Sequence, residues 1–149
     1  RTMVGFILET QGKRDEARRW YEATVAEISN APVVANNLAY IYAEEGTNLD
    51  VALQLASSAK QQMPDNADVD DTLGWVYYKR NQPAQAIPYF QQCAQKSPNV
   101  AEYHYHLGLA LLQNGDKPGG RSSLQRALDL RPNASVAAEV RRALEGAGN

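Results

Sequence analysis

Small and large apolar residues recur along this chain at a fixed interval. A small residue stands at Gly5, Ala39, Gly74 and Gly108, spaced 34, 35 and 34 residues apart. An apolar residue precedes each one (Val4, Leu38, Leu73, Leu107), and a larger one follows three positions later (Leu8, Tyr42, Tyr77, Leu111). A second small position recurs at Ala17, Ala52, Ala86 and Gly120, followed four residues on by Tyr21, Ala56, Phe90 and Leu124, and three after those by Thr24, Ala59, Cys93 and Ala127. Pro64, Pro98 and Pro132 close three of the intervals, with Ser29 at the matching place in the first. One extra residue after Gly46 accounts for the interval of 35.

Within an interval, Leu73, Gly74 and Tyr77 share one helical face, and the pattern breaks at Asn81-Gln82-Pro83. It resumes with Ala86, Phe90 and Cys93 before Ser97-Pro98, so each interval predicts two helices joined by a short turn. Small residues let the paired helices approach and large ones fill the space between them, while the closing proline stops the second helix. Gly120 is expected to weaken the start of its helix by about 1 kcal/mol relative to alanine. After Pro132, the spacing of Val136, Val140, Ala143 and Leu144 predicts one more helix, with Gly146 as its stop. Glu139, Arg141, Arg142 and Glu145 give that helix the polar outer face a terminal cap needs.

This register resembles the tetratricopeptide repeat family, whose 34-residue helix-turn-helix unit carries the same set of small and large positions. The resemblance implies an all-α, right-handed superhelical solenoid. It covers essentially the whole chain as units 1–31, 32–66, 67–100 and 101–134, with a capping helix over 135–149. The first unit opens partway through its own first helix, which reads as an array truncated at its N-terminal end. The phrase DTLGWVYYKRNQPAQAIPYF, with LAYIYAEEG before it, resembles the C-terminal repeats of long bacterial tetratricopeptide proteins.

Composition narrows the function classes. The 149 residues are 44% hydrophobic and 21% charged, a globular balance, and the net charge of −2 offers no basic stripe for nucleic acid or an anionic membrane surface. Apolar runs fall well short of the roughly 20 residues a membrane-spanning helix needs. The lone Cys93 excludes an internal disulfide, and its small core position reads as a buried, inert thiol.

No constellation of nucleophile, base and orienting group stands out, so no catalytic residue, cofactor or metal is expected. GDKPGGRS, residues 115–122, nearly matches a phosphate-binding loop, but a helix pattern precedes it where a strand is required. Asp65, Asp68, Asp70 and Asp71 lack calcium-loop spacing and read as acids favoured by a helix N-terminus. His104 and His106 are two apart, diverge on a helix and cannot share an ion.

At about 100° per residue, a second stripe runs along each first helix, away from its pair contact. It carries Phe6 and Glu9, then Asn36, Tyr40 and Ala43, then Asp71, Trp75 and Tyr78, then Tyr105, Leu109 and Leu112. In the family this stripe lines the concave groove where peptides or partner segments bind. By that resemblance Asn37, Asp68, Thr72, Lys79, Glu102, His106 and Gln113 flank it. Trp75, Tyr78 and Tyr105 are expected as aromatic anchors, the make-up of a binding hot spot. Tyr40 and Leu109 suit packing between successive helices equally well.

The carboxylate clamp of chaperone-tail binders fails at Asn36, Tyr40, Thr72, Glu102 and His106, where only Asn36 would help and Glu102 would repel. Asp68, Asp71 and Glu102 suggest an apolar ligand with some basic character. The expectation is a non-catalytic scaffold that holds a protein or peptide partner. The alternatives are a substrate-recruiting arm of a larger enzyme, or a scaffold that forms homo-oligomers through its first helix. The partner's identity and the compartment, bacterial cytoplasm or periplasm, are not written in these residues.

Overall fold

The computed structural model describes residues 2–148; Arg1 and Asn149, the ends of the first and last expected units, lie outside the described residues, as does the side chain of Thr2. The described elements are all helices: α1 (Thr2–Thr10), α2 (Arg14–Glu27), α3 (Pro32–Glu45), α4 (Leu49–Gln62), α5 (Ala67–Lys79), α6 (Pro83–Lys96), α7 (Ala101–Gln113), α8 (Lys117–Asp129) and α9 (Ala134–Ala147). Each odd-numbered helix packs on the even-numbered one that follows, and each even-numbered helix packs on the next odd one. The helices α3, α5, α7 and α9 also touch in succession, so these four form one layer of an all-α helical repeat solenoid. No described helix is long and apolar enough to cross a membrane.

The turn inside each pair repeats with the register. Gly12, Gly46, Asn81 and Gly115 all have positive φ (74°, 69°, 61° and 90°), the left-handed region that glycine and asparagine tolerate best. Around them the N–H groups of Lys13, Thr47, Gln82 and Asp116 bond back to the carbonyls of Leu8, Tyr42, Tyr77 and Leu111, each five residues earlier. That is the Schellman closure of a helix C-terminus. The even-numbered helices α4, α6 and α8 end shortly before Pro64, Pro98 and Pro132, and Pro32, Pro83 and Pro118 sit in first turns, where a missing N–H is harmless.

Close approach within pairs follows from the small positions. A Cβ built on Gly74 would lie 2.5 Å from the Phe90 ring, one on Gly108 would lie 2.7 Å from Leu124, and one on Gly5 would run into the Tyr21 ring. These large partners are fully buried, and Leu38, Ala39, Ala56, Leu73 and Ala86 fill the space between them. Gly120 corrects the propensity argument: a Cβ there would meet Leu112 at 2.6 Å and the Gly108 carbonyl oxygen at 3.1 Å, so alanine would wedge the α7–α8 contact. Leu112 therefore belongs to the pair contact and not to the outer stripe. Gly146 does not stop α9, which runs to Ala147 in ordinary helical backbone.

The aspartate cluster is also more than a dipole effect. Asn66 caps α5 by accepting from Asp68 and Val69 N–H. Asp70, fully buried, receives Lys60 Nζ at 2.6 Å and Lys96 Nζ at 2.7 Å, tying α4, α5 and α6 together. At the other end of the array, Val4 and Ile7 of α1 are 42% and 45% exposed, whereas Leu38 and Ile41, one interval later, are 2% exposed.

Candidate binding groove

The odd-numbered helices present two adjoining concavities that share Tyr40 and Glu102. The first, about 390 Å³, takes Glu44 from α3, Trp75, Tyr78 and Lys79 from α5, Tyr105, His106 and Leu109 from α7, and Val136 and Glu139 from α9. The second, about 360 Å³, takes Phe6 and Glu9 from α1, Asn36 and Asn37 from α3, Asp68, Asp71 and Thr72 from α5, and Val100 and Tyr103 from the start of α7. All of the groove residues read from the stripe line one concavity or the other, apart from Ala43, Leu112 and Gln113. Ala43 is buried, and Gln113 donates to the Asn81 side chain at 3.2 Å.

Depth divides these residues. Phe6 is exposed at 57%, Tyr40, Tyr78, Tyr105 and Leu109 are half-buried, and Asp68 and Glu102 face solvent. Trp75 is only 6% exposed, so it forms the floor of the groove and is not the open anchor expected of it. Its ring is stacked on Tyr78 at 5.1 Å and His106 at 4.2 Å, and its Nε1–H donates to Glu44 Oε1 at 2.6 Å. Lys79 Nζ stands 5.2 Å from the same ring.

Asn36, Asp71, Thr72 and His106 are also buried. Asp71 Oδ1 and His106 Nδ1 meet at 2.7 Å. Thr72 spends its hydroxyl on the Asp68 carbonyl at 3.0 Å, and Asn36 Oδ1 has no partner among the described residues. His104 points elsewhere, bonding the Pro98 carbonyl at 2.8 Å.

Carboxylates dominate the walls. Glu9 accepts from Tyr21 at 2.5 Å and Asp68 accepts from Tyr103 at 3.1 Å, both neutral donors that leave the charge in place. Glu102 has no salt-bridge partner among the described residues. Burial, with Glu44, Asp71, Glu102 and Asp68 around it, raises the Tyr40 hydroxyl well above its ordinary range.

At His106 burial alone would lower the imidazole pKa, but the Asp71 carboxylate more than offsets it and the pKa is raised. Burial likewise raises Asp71, with His106 offsetting only part. Both shifts mean that the folded pair holds its protons more firmly than the unfolded chain does. The stabilisation from His106 is complete below the unfolded imidazole pKa of about 6.5 and is lost as pH rises through the higher folded value. Asp71 acts with the same sign at lower pH. The melting temperature is expected to fall between pH 6 and pH 8, and His106→Gln, which cannot titrate, should flatten that slope. A wild-type melting temperature that is level or rises over this range would contradict the pairing.

Glu44, Val136 and Glu139 were missed in the sequence, although the register contains them. Glu44 is one interval before Lys79, and Val136 and Glu139 are one interval after Glu102 and Tyr105, so α9 continues the first-helix stripe. The near phosphate-loop motif is excluded geometrically: Asp116 Oδ1 accepts from Gly119 N–H at 2.9 Å, filling the α8 N-terminus with a carboxylate. Cys93 is fully buried, and burial pushes its thiol pKa up, so it stays protonated.

A tetratricopeptide repeat family model matches residues 72–135. Over 84 residues, 56% of this chain, the sequence is 30% identical to the TPR repeat-containing protein PA4667 of Pseudomonas aeruginosa, and it spans 14% of that protein's length. The solved structure of TTC0263, a thermophilic TPR protein of Thermus thermophilus, is similar with a TM-score of 0.80 at 21% identity, covering 97% of this chain and 78% of that one. A structure of MamA from strain MSR-1 is similar with a TM-score of 0.73 at 26% identity, covering 96% of this chain and 80% of that one. With its helix pairs repeating every 34 or 35 residues, the chain is an all-α repeat solenoid that carries tetratricopeptide repeats over residues 72–135.

Proposed function

We propose that this chain is a non-catalytic scaffold that holds an extended or helical segment of a partner protein in the groove of its odd-numbered helices. The fold is that of protein–protein interaction scaffolds, which are generally non-catalytic. The observation that carries the reading is the groove's lining: Phe6, Tyr40, Tyr78 and Tyr105 offer partly open aromatic surface along one continuous face, with polar and charged residues between them. Such rings supply large contact area at a small cost in side-chain entropy, and flanking polar groups fix register.

A phage-displayed peptide library selected against the immobilised protein tests the reading. Selected peptides are expected to share a motif and to bind a Phe6→Ser, Tyr78→Ala, Tyr105→Ala variant at least tenfold more weakly, with its helical circular dichroism retained. Peptides that bind the variant as tightly as the parent would place the interaction off the groove. Trp75 is left intact in this test because it is part of the core.

A further inference from the structure

We propose that the concavity between α1, α3, α5 and α7 is an anchor for an arginine side chain of the partner segment. This rests on the groove reading above and names the chemistry of one position within it. The carboxylates of Glu9, Asp68 and Glu102 line this concavity together with Asp71, and no lysine or arginine among the described residues does. Asp71 is matched by His106, whereas among the described residues Glu9 and Asp68 meet only neutral hydroxyl donors and Glu102 meets none. The place is therefore short of positive charge and rich in acceptors.

A second observation is independent of charge. Asn36 is 6% exposed and lines the same concavity, yet its Oδ1 is buried without a hydrogen-bond partner. An orphaned buried acceptor costs free energy that a bound donor recovers. The terminal amide torsion is soft, so the oxygen is free to turn toward a donor bound in the concavity.

Aromatic surface selects among the donors. The Phe6 ring is 57% exposed at the open side and Tyr40 forms part of the wall. A guanidinium is planar, carries five N–H donors in a fixed fork and stacks on aromatic faces; an ammonium concentrates three donors at one point. Acceptors spread over four helices and flanked by rings fit the former. The neighbouring concavity already holds a cation against an aromatic, Lys79 at 5.2 Å from the Trp75 ring centroid. An acidic segment would meet like charge here.

The test titrates N-acetyl-arginine methylamide into the isotopically labelled 149-residue chain by NMR, beside the neutral isostere N-acetyl-citrulline methylamide. Saturable shifts are expected at the Asn36 side-chain amide and at the backbone of Asn37 and Asp68, with citrulline at least tenfold weaker. Asp68→Asn with Glu102→Gln, both at exposed positions, should weaken arginine at least tenfold. A control of equal charge change, Glu16→Gln with Glu145→Gln, should leave it unchanged. Shifts that do not saturate, that citrulline reproduces, or that survive the first pair of substitutions would overturn the proposal. Groove-dependent peptides from the library that carry no arginine would also overturn it, while leaving the groove reading intact.

Discussion

Replacing Lys60 and Lys96 together by methionine is expected to destabilise the protein by about 3–5 kcal/mol, more than the sum of the two single changes. Asp70 between them has no exposed surface, and their two ammonium groups hold its two oxygens at 2.6 and 2.7 Å. Either single substitution leaves one cation in place, so each should cost only about 1.5 kcal/mol, the lower end for a charged hydrogen bond. Losing both leaves a buried carboxylate without compensation, and the penalty becomes that of desolvating a charge.

The converse change is milder. Asp70→Leu removes the buried charge itself and leaves the two lysines, whose side chains are 25% and 34% exposed, free to turn to water. Urea denaturation midpoints for the four variants separate the cases. Additive lysine effects, or an Asp70→Leu variant as unstable as the double one, would show that the buried charge is not what the lysines stabilise. The site matters for the whole array because it joins α4, α5 and α6 across the boundary between two helix pairs.

How much of this could be read beforehand depends on whether a feature repeats. The pair contacts were legible because Gly5 with Tyr21, Gly74 with Phe90 and Gly108 with Leu124 recur at one spacing, each a small residue beneath a large one. The groove stripe was legible for the same reason, and counting one more interval would have reached Glu139. The Asp70 cluster was not: Lys60 and Lys96 stand 36 residues apart, off the 34-residue register, and one aspartate serves both. Depth was not legible either. Helical phase says which way Asp71 and His106 point, but only the spacing of α5 and α7 makes them a buried pair 2.7 Å apart. Gly120 shows propensity losing to packing, since the alanine favoured in an isolated helix would strike Leu112.

Trp75→Ala is expected to destabilise the fold by about 3–5 kcal/mol, the range for truncating a large buried aromatic, and so to report on folding before it reports on binding. The ring is the floor on which His106 and Tyr78 stack, and Glu44 would lose the indole N–H that it accepts at 2.6 Å. Trp75→Phe keeps most of the packing but not the donor, so a loss of about 1–2 kcal/mol is expected. Tyr78→Ala, at a half-buried position, should cost about 1 kcal/mol while removing groove surface. The three variants therefore order differently for stability and for peptide affinity: Trp75→Ala is worst for the first, and Tyr78→Ala weakens binding while the fold persists. Urea denaturation beside peptide titration under folded conditions makes the comparison. If Trp75→Ala kept parental stability and lost only affinity, Trp75 would be an anchor after all, and the groove floor would have to be drawn one layer deeper.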